Sequence, residues 1–152
     1  MATDVSEKAL AVARRNADAL GLADLVQFAE SDLLGAFLSH HGDAGADFDT
    51  RAFDLVVSNP PYVSLEEAEL LPREVREHEP ATALFSEEEG LEVTRRLLEE
   101  ARAALVAKGW IVLELGYNMA GRVQALVGDA WTNVEVTNDL AGIPRVLAAQ
   151  KK

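Results

Sequence analysis

The chain has 152 residues, 49% of them apolar and 26% charged, the balance of one globular domain with a real core. Fourteen basic against 26 acidic side chains leave a net charge of −12, which repels phosphate backbones and argues against nucleic acid as a direct partner. There is no cysteine, so disulfides and thiolate metal sites are excluded, and no apolar run approaches the roughly 20 residues of a membrane-spanning helix. The opening MATDVSEKAL lacks a basic-then-apolar leader pattern. These features suit a cytoplasmic protein with no membrane partner and no metal.

In chain order, Ser6 is the expected N-cap of a first helix, with Glu7 in its first turn. Ala9, Leu10, Ala13, Ala17 and Leu20 recur at helical spacing, and Gly21 stands where a helix C-terminal glycine belongs. Leu25 to Ala29 reads as a short strand that ends at Glu30-Ser31-Asp32. Residues 35–50 read as a short helix or turn followed by a loop. Phe53 to Val57 is almost continuously apolar, as in a parallel strand covered on both faces, and it runs into Asn59-Pro60-Pro61-Tyr62. Ser64-Leu65-Glu66-Glu67 has the form of a capping box opening a short helix.

Residues 71–90 are acidic, carry Pro72, Pro80 and Gly90, and read as irregular. A long helix is expected from Leu91 to about Val106, with Gly109 as its stop. Trp110 to Leu113 is another buried strand, ending at Glu114-Leu115-Gly116, and a helix follows from Met119 to Val127. Val134 to Val136 and Arg145 to Ala148 are the last strand signals. The linker between them, NDLAGIP, is too short for a crossover helix, so this pair should be antiparallel. Strands alternating with helices make this an α/β fold with a mostly parallel sheet and one antiparallel strand near the end, a single domain over 1–152.

In such sheets ligands sit beyond the carboxyl ends of strands. Asp4, Asp32 and Asn59 to Tyr62 occupy those ends. An acid in Asp4's place accepts ribose hydroxyls in nucleotide-binding sheets, and also caps helices; alone, it is more simply a cap. Asp32 reads either as a turn residue or as an acceptor for an adenine amino group. The NPPY run is more specific. Pro-Pro stiffens the path, and a residue before proline is pushed to extended backbone, so the Asn59 carboxamide stands on a rigid support. Its oxygen and the Pro60 carbonyl are two acceptors suited to both hydrogens of a planar NH2 group, with Tyr62 as a flat face beside it. Catalysis would then be largely positioning for an in-line displacement. His40, His41 and His78 lack metal-ligand company, Glu87-Glu88-Glu89 reads as a solvated face, and Trp110 and Trp131 read as packing residues.

DLVVSNPPYV resembles the signature of class I S-adenosylmethionine-dependent methyltransferases that act on amide or amine nitrogen. REHEPATALFSEEEGLEVTRRLL and the tail LELGYNMAGRVQALV…VEVTNDLAGIPRVLAA resemble the HemK/PrmC family of protein-glutamine N5-methyltransferases. The resemblance implies a Rossmann-like methyltransferase sheet and methyl transfer to the glutamine of the Gly-Gly-Gln motif in peptide-chain release factors. It implies that Asn59 and Pro60, with Pro61 and Tyr62, grip the glutamine amide. Asp4 with Val5 would contact the cofactor ribose and Asp32 with Leu33 its adenine; Asn59 would border both ligands, and Glu79 of the Glu79-Pro80 pair would lie close to the site. The sequence departs from the family in one respect: it has no G-x-G run. The chain therefore reads as a catalytic domain truncated at its N-terminus, with the first strand missing. Weak or absent S-adenosylmethionine binding, little activity, and dimerisation through two unpaired sheet edges are the corresponding expectations. Two other readings share the NPPY run: a nucleic-acid adenine N6-methyltransferase acting on a flipped base, and a non-catalytic peptide-binding partner domain.

Overall fold

A serine hydroxyl starts the first helix. Ser6 is extended (φ −102°, ψ 108°), and its Oγ accepts the Ala9 N–H at 3.3 Å. The computed structural model containing this cap describes residues 1–38, 53–64, 66, 69 and 71–152. The histidines at 40 and 41 and most of the loop predicted before residue 50 lie outside the described residues. So do Leu65 and Glu67 of the predicted capping box. Contacts divide the chain into two compact units, Met1–Arg51 and Ala52–Lys152.

The smaller unit contains β1 (Ala2–Asp4), α1 (Glu7–Ala19), β2 (Phe28–Glu30) and α2 (Gly35–Leu38). Leu10 and Ala17 form the buried stripe of α1, and Gly21 follows the C-cap at φ 69°, a backbone region open to glycine at little cost. β1 and β2 are parallel, with Ala2 opposite Phe28 and Asp4 opposite Glu30. The second strand begins later than the sequence reading placed it. Leu25 and Val26 donate their N–H groups to the Leu22 carbonyl at 3.0 and 3.2 Å, so these apolar residues form a turn rather than a ladder.

The larger unit contains β3 (Phe53–Ser58), α3 (Arg73–His78), α4 (Ala81–Leu84), α5 (Glu87–Gly90), α6 (Glu92–Ala104), β4 (Leu105–Glu114), α7 (Ala120–Leu126), β5 (Trp131–Asn138) and β6 (Pro144–Lys151). Its sheet has the order β3-β4-β6-β5. β3 and β4 are parallel, whereas β6 runs antiparallel to both β4 and β5, as the short NDLAGIP linker requires. Ile111 and Leu113 of β4 stand opposite Ala149 and Leu147 of β6, and all four are fully buried. Leu97, Leu98, Ala101 and Ala104 give α6 one apolar face, and the helix packs on β4. α7 packs on β6 and buries Val123. Trp131 is buried, as a packing residue should be, and Trp110 is half-buried. No helix of the described residues is long and apolar enough to cross a membrane.

Three expectations are corrected here. Residues 71–90 are not irregular: they hold three short helices. Pro72 and Pro80 stand just before α3 and α4, where a missing N–H costs nothing because the first helical donors are unpaired anyway. Gly109 does not stop the long helix, which ends at Ala104 and passes directly into β4. Gly109 is instead a close approach inside the strand: a Cβ there would meet Leu105 Cδ2, Phe53 O and Val106 O, each at 3.1 Å. Finally, β3 is not covered on both faces. Val56 is buried, but Leu55 is 52% and Val57 67% exposed. β3 pairs only with β4 among the described strands, so it is an edge strand with one open face.

The β5–β6 hairpin is closed by Asp139. Its Oδ1 accepts the N–H groups of Ala141 (2.9 Å) and Ile143 (3.0 Å), and its Oδ2 accepts Arg145 Nε at 3.3 Å. The Ile143 hydrogen bond above all, then those from Ala141 and Arg145, holds the Asp139 carboxyl below its ordinary value of 3.8, although partial desolvation opposes them. A depressed carboxyl contributes stability that is present above its ordinary pKa and is lost as pH falls through its folded value. Asp139→Asn should therefore melt below wild type at neutral pH, with the gap closing as pH drops below 3.8; thermal melts of both proteins across that range check this.

Candidate active site

Apart from Glu79, the predicted site residues sit at or just beyond the carboxyl ends of parallel strands, in two separate groups. In the smaller unit Asp4 ends β1, and Asp32 follows the end of the adjacent β2. The Ser31 N–H donates to the Asp4 carbonyl at 3.1 Å, which extends the ladder one residue past β2 and draws the two acids to neighbouring strand ends. Both are exposed. Asp4 Oδ1 accepts the Ser6 N–H at 2.8 Å, so one carboxylate oxygen serves the helix start, as the capping reading held. Buried Ser31 accepts the Ala36 N–H at 3.1 Å and fixes the turn around Asp32. Leu33 adopts a left-handed φ of 51°, a conformation that costs a branched residue about 1–2 kcal/mol. Val5, half exposed, and Leu33, half buried, add apolar surface beside the two acids. Two exposed carboxylates flanked by apolar side chains suit a nucleoside, whose hydroxyls and amino group donate while its base prefers a dry face.

In the larger unit Asn59 follows the last residue of β3. It is exposed, and its carboxamide has no hydrogen-bond partner among the described residues. Pro60 is buried, and Pro61 and Tyr62 are half-buried. Asn59 is thus free to meet a ligand while its neighbours are held. The exit of the run is tied down next: the Val63 N–H donates to Leu84 O at 2.9 Å, and the Ser86 N–H donates to Val63 O at 3.0 Å. Buried Ser86 in turn accepts the Val93 N–H at 3.2 Å, which links this staple to α6. Glu79 is placed differently. It caps α3 through its N–H to Val75 O (3.0 Å), is exposed, and forms no hydrogen bond with Asn59 to Tyr62. His78 lies beside it at the helix end. No cluster of three or more metal-ligating side chains occurs among the described residues.

Sequence reading missed the two glycines that enclose Tyr62. A Cβ on Gly90, at φ 86°, would lie 2.2 Å from the Tyr62 carbonyl oxygen. One on Gly116 would lie 2.6 Å from Tyr62 Cδ2 and 2.8 Å from Met119 Sδ. The available signal was each glycine's position, one after an acidic run and one at a strand end, but the sequence does not show what approaches them.

Solved structures match this architecture across almost the whole chain. TrmN from Thermus thermophilus superposes with a TM-score of 0.62 at 19% identity, covering 99% of this chain and 35% of that one. The O-methyltransferase from Bacillus cereus, solved in complex with SAH, gives 0.58 at 13% identity, covering 99% and 61%. The fold is thus the Rossmann-like α/β fold of class I methyltransferases. No family model matches the chain. Among curated relatives, the release factor glutamine methyltransferase of Koribacter versatilis is 40% identical over 150 residues, and that of Deinococcus radiodurans 39% over 150, each match covering 99% of this chain and 49% of the relative. That of Enterococcus faecalis is 35% identical over 152 residues, covering 99% and 50%. Over almost its whole length the chain is thus similar to release factor glutamine methyltransferases, and it spans about half the length of the curated relatives it matches.

The helix-start role of Asp4 is tested by substitution. Asp4→Ala deletes the hydrogen bond to Ser6 and should cost about 1 kcal/mol. Asp4→Asn keeps an acceptor there and should stay within about 0.5 kcal/mol of wild type. Urea titration of the three proteins measures the difference.

Proposed function

We propose that the two units are parts of one methyltransferase catalytic domain, and that it serves the N5-methylation of a glutamine side chain in the Gly-Gly-Gln motif of a peptide-chain release factor. The observation that carries this reading is Asn59: an exposed carboxamide with no hydrogen-bond partner among the described residues, at a strand end, on a proline-stiffened run whose far side is stapled. Identities of 35 to 40% with release factor glutamine methyltransferases support the choice of glutamine over adenine. The net charge of −12 also disfavours a nucleic-acid substrate.

Asp4 with Val5 and Asp32 with Leu33 fit a nucleoside cofactor by donor set and apolar flank, and S-adenosylmethionine is the one we propose. When bound, it supplies a methyl group on a positively charged sulfur, ready for displacement. The Asn59 oxygen and the Pro60 carbonyl accept the two N–H groups of the glutamine amide and fix its orientation. Pro61 and Tyr62 restrict the amide plane, and Glu79 borders the peptide. As the nitrogen gains the methyl group it gives up a proton, which passes to water. Because the sequence has no G-x-G run, we propose that this chain alone holds the cofactor weakly. A cytoplasmic location is part of the same reading, since release factors act on ribosomes.

Titration of the isotope-labelled chain with a Gly-Gly-Gln peptide should perturb the Asn59 side-chain and Tyr62 amide resonances. Asn59→Ala should abolish those shifts while moving stability by no more than about 0.5 kcal/mol. Calorimetry with S-adenosylmethionine alone should give weak or no binding. Methyl transfer to adenine in single-stranded DNA, without peptide binding, would move the reading to the adenine N6 class.

Exposed Leu55 and Val57 on the edge strand β3 lead us to propose that the chain also associates with a second copy of itself there. Sedimentation should show a dimer that Val57→Lys dissociates. A monomer at high concentration contradicts it.

A further inference from the structure

We propose that Gly90, Gly116 and the Asp139–Arg145 pair are positioning residues for Tyr62, and through it for Asn59. This rests on the reading of Asn59 as the amide-gripping residue. Three separate parts of the larger unit converge on Tyr62. The first is the segment from Leu84 to Gly90, which holds Val63 by two backbone hydrogen bonds and brings Gly90 against the Tyr62 carbonyl. The second is the turn after β4, where Gly116 lies against the edge of the tyrosine ring and beside Met119 Sδ, and the Met119 N–H donates to Gly116 O at 3.2 Å.

The third part reaches Gly116 from behind. Arg145 Nη1 donates to the carbonyl of Leu115 at 3.2 Å, and the Leu115 N–H donates to Arg145 O at 2.8 Å. Arg145 is held in turn by Asp139. The wall that meets the ring is thus anchored to the β5–β6 hairpin through the residue before Gly116.

The glycines are required by contact rather than by turn geometry alone. Cβ atoms at Gly21, Gly35, Gly121, Gly128 and Gly142 would meet nothing within 4 Å, whereas those at Gly90 and Gly116 would each strike Tyr62. Pro60 and Pro61 have fixed φ angles, so few soft torsions separate Tyr62 from Asn59. A displacement of Tyr62 therefore reaches the Asn59 carboxamide instead of being absorbed on the way.

The test uses 3-fluorotyrosine in a Tyr117→Phe background, so that Tyr62 gives the sole fluorine signal; Tyr117 is 65% exposed and its loss leaves the clamp intact. Gly116→Ala and Gly90→Ala should each shift or broaden that signal and weaken Gly-Gly-Gln peptide binding about tenfold or more, with circular dichroism unchanged. Arg145→Gln should act in the same direction. Gly121→Ala, which adds its methyl to open space, should move neither readout. An unmoved Tyr62 signal in folded Gly116→Ala and Gly90→Ala overturns the proposal, as does a moved signal with unchanged peptide affinity. If either glycine variant fails to fold, the other and Arg145→Gln decide. Absence of peptide binding by the unsubstituted chain overturns the glutamine reading instead, and the fluorine signal still judges whether the clamp sets Tyr62.

Discussion

Strand β4 is paired along one edge with β3, running with it, and along the other with β6, running against it. Two ladders of different geometry must therefore agree on one backbone. Ile111 is opposite Val56 on one side and Ala149 on the other, and Leu113 is opposite Ser58 and Leu147. Successive side chains point to opposite faces, so a slip of one residue in either ladder would turn Ile111 and Leu113 out of the core. The same register fixes the site. Because Ser58 is level with Leu113, the chain leaves β3 into the NPPY run close to where β4 ends and leads to Gly116. Core packing and the placement of Tyr62 are consequences of one alignment.

Much of this was legible because the signals were local. The Ser6 cap, the stripe of α1 and the antiparallel hairpin forced by NDLAGIP each depend on residues close in sequence. The strand-end positions of Asp32 and Asn59 were legible for the same reason, since a polar residue after an apolar run marks a strand end, whereas Asp4, preceded only by Met-Ala-Thr, owed its place to the family resemblance. The misplaced elements depended on partners far along the chain. Leu25 and Val26 look like strand residues until the Leu22 carbonyl captures their N–H groups. Pro72 and Pro80 look like breakers until the chain beyond them turns helical.

The site shows the same division. Asn59 and Tyr62 carry side chains whose chemistry can be read directly, whereas Gly90 and Gly116 contribute by having none. Their role becomes visible only when a third residue is found against them. Leu55 and Val57 are a comparable case. Hydrophobicity identifies them as candidates for burial but does not say whether anything covers them, and here both are exposed.

The position of β6 bears on how the larger unit is made. It follows β5 in the chain yet lies between β4 and β5 in the sheet. During synthesis β5 leaves the ribosome with no strand beside which it can settle, because its neighbour has not yet been translated. The β3–β4 pair needs no later strand, but β5 cannot take its place in the sheet until β6 has been made. Until then the β4 edge that will receive β6 remains open, and newly made chain has a window in which chaperones or other nascent strands compete for it.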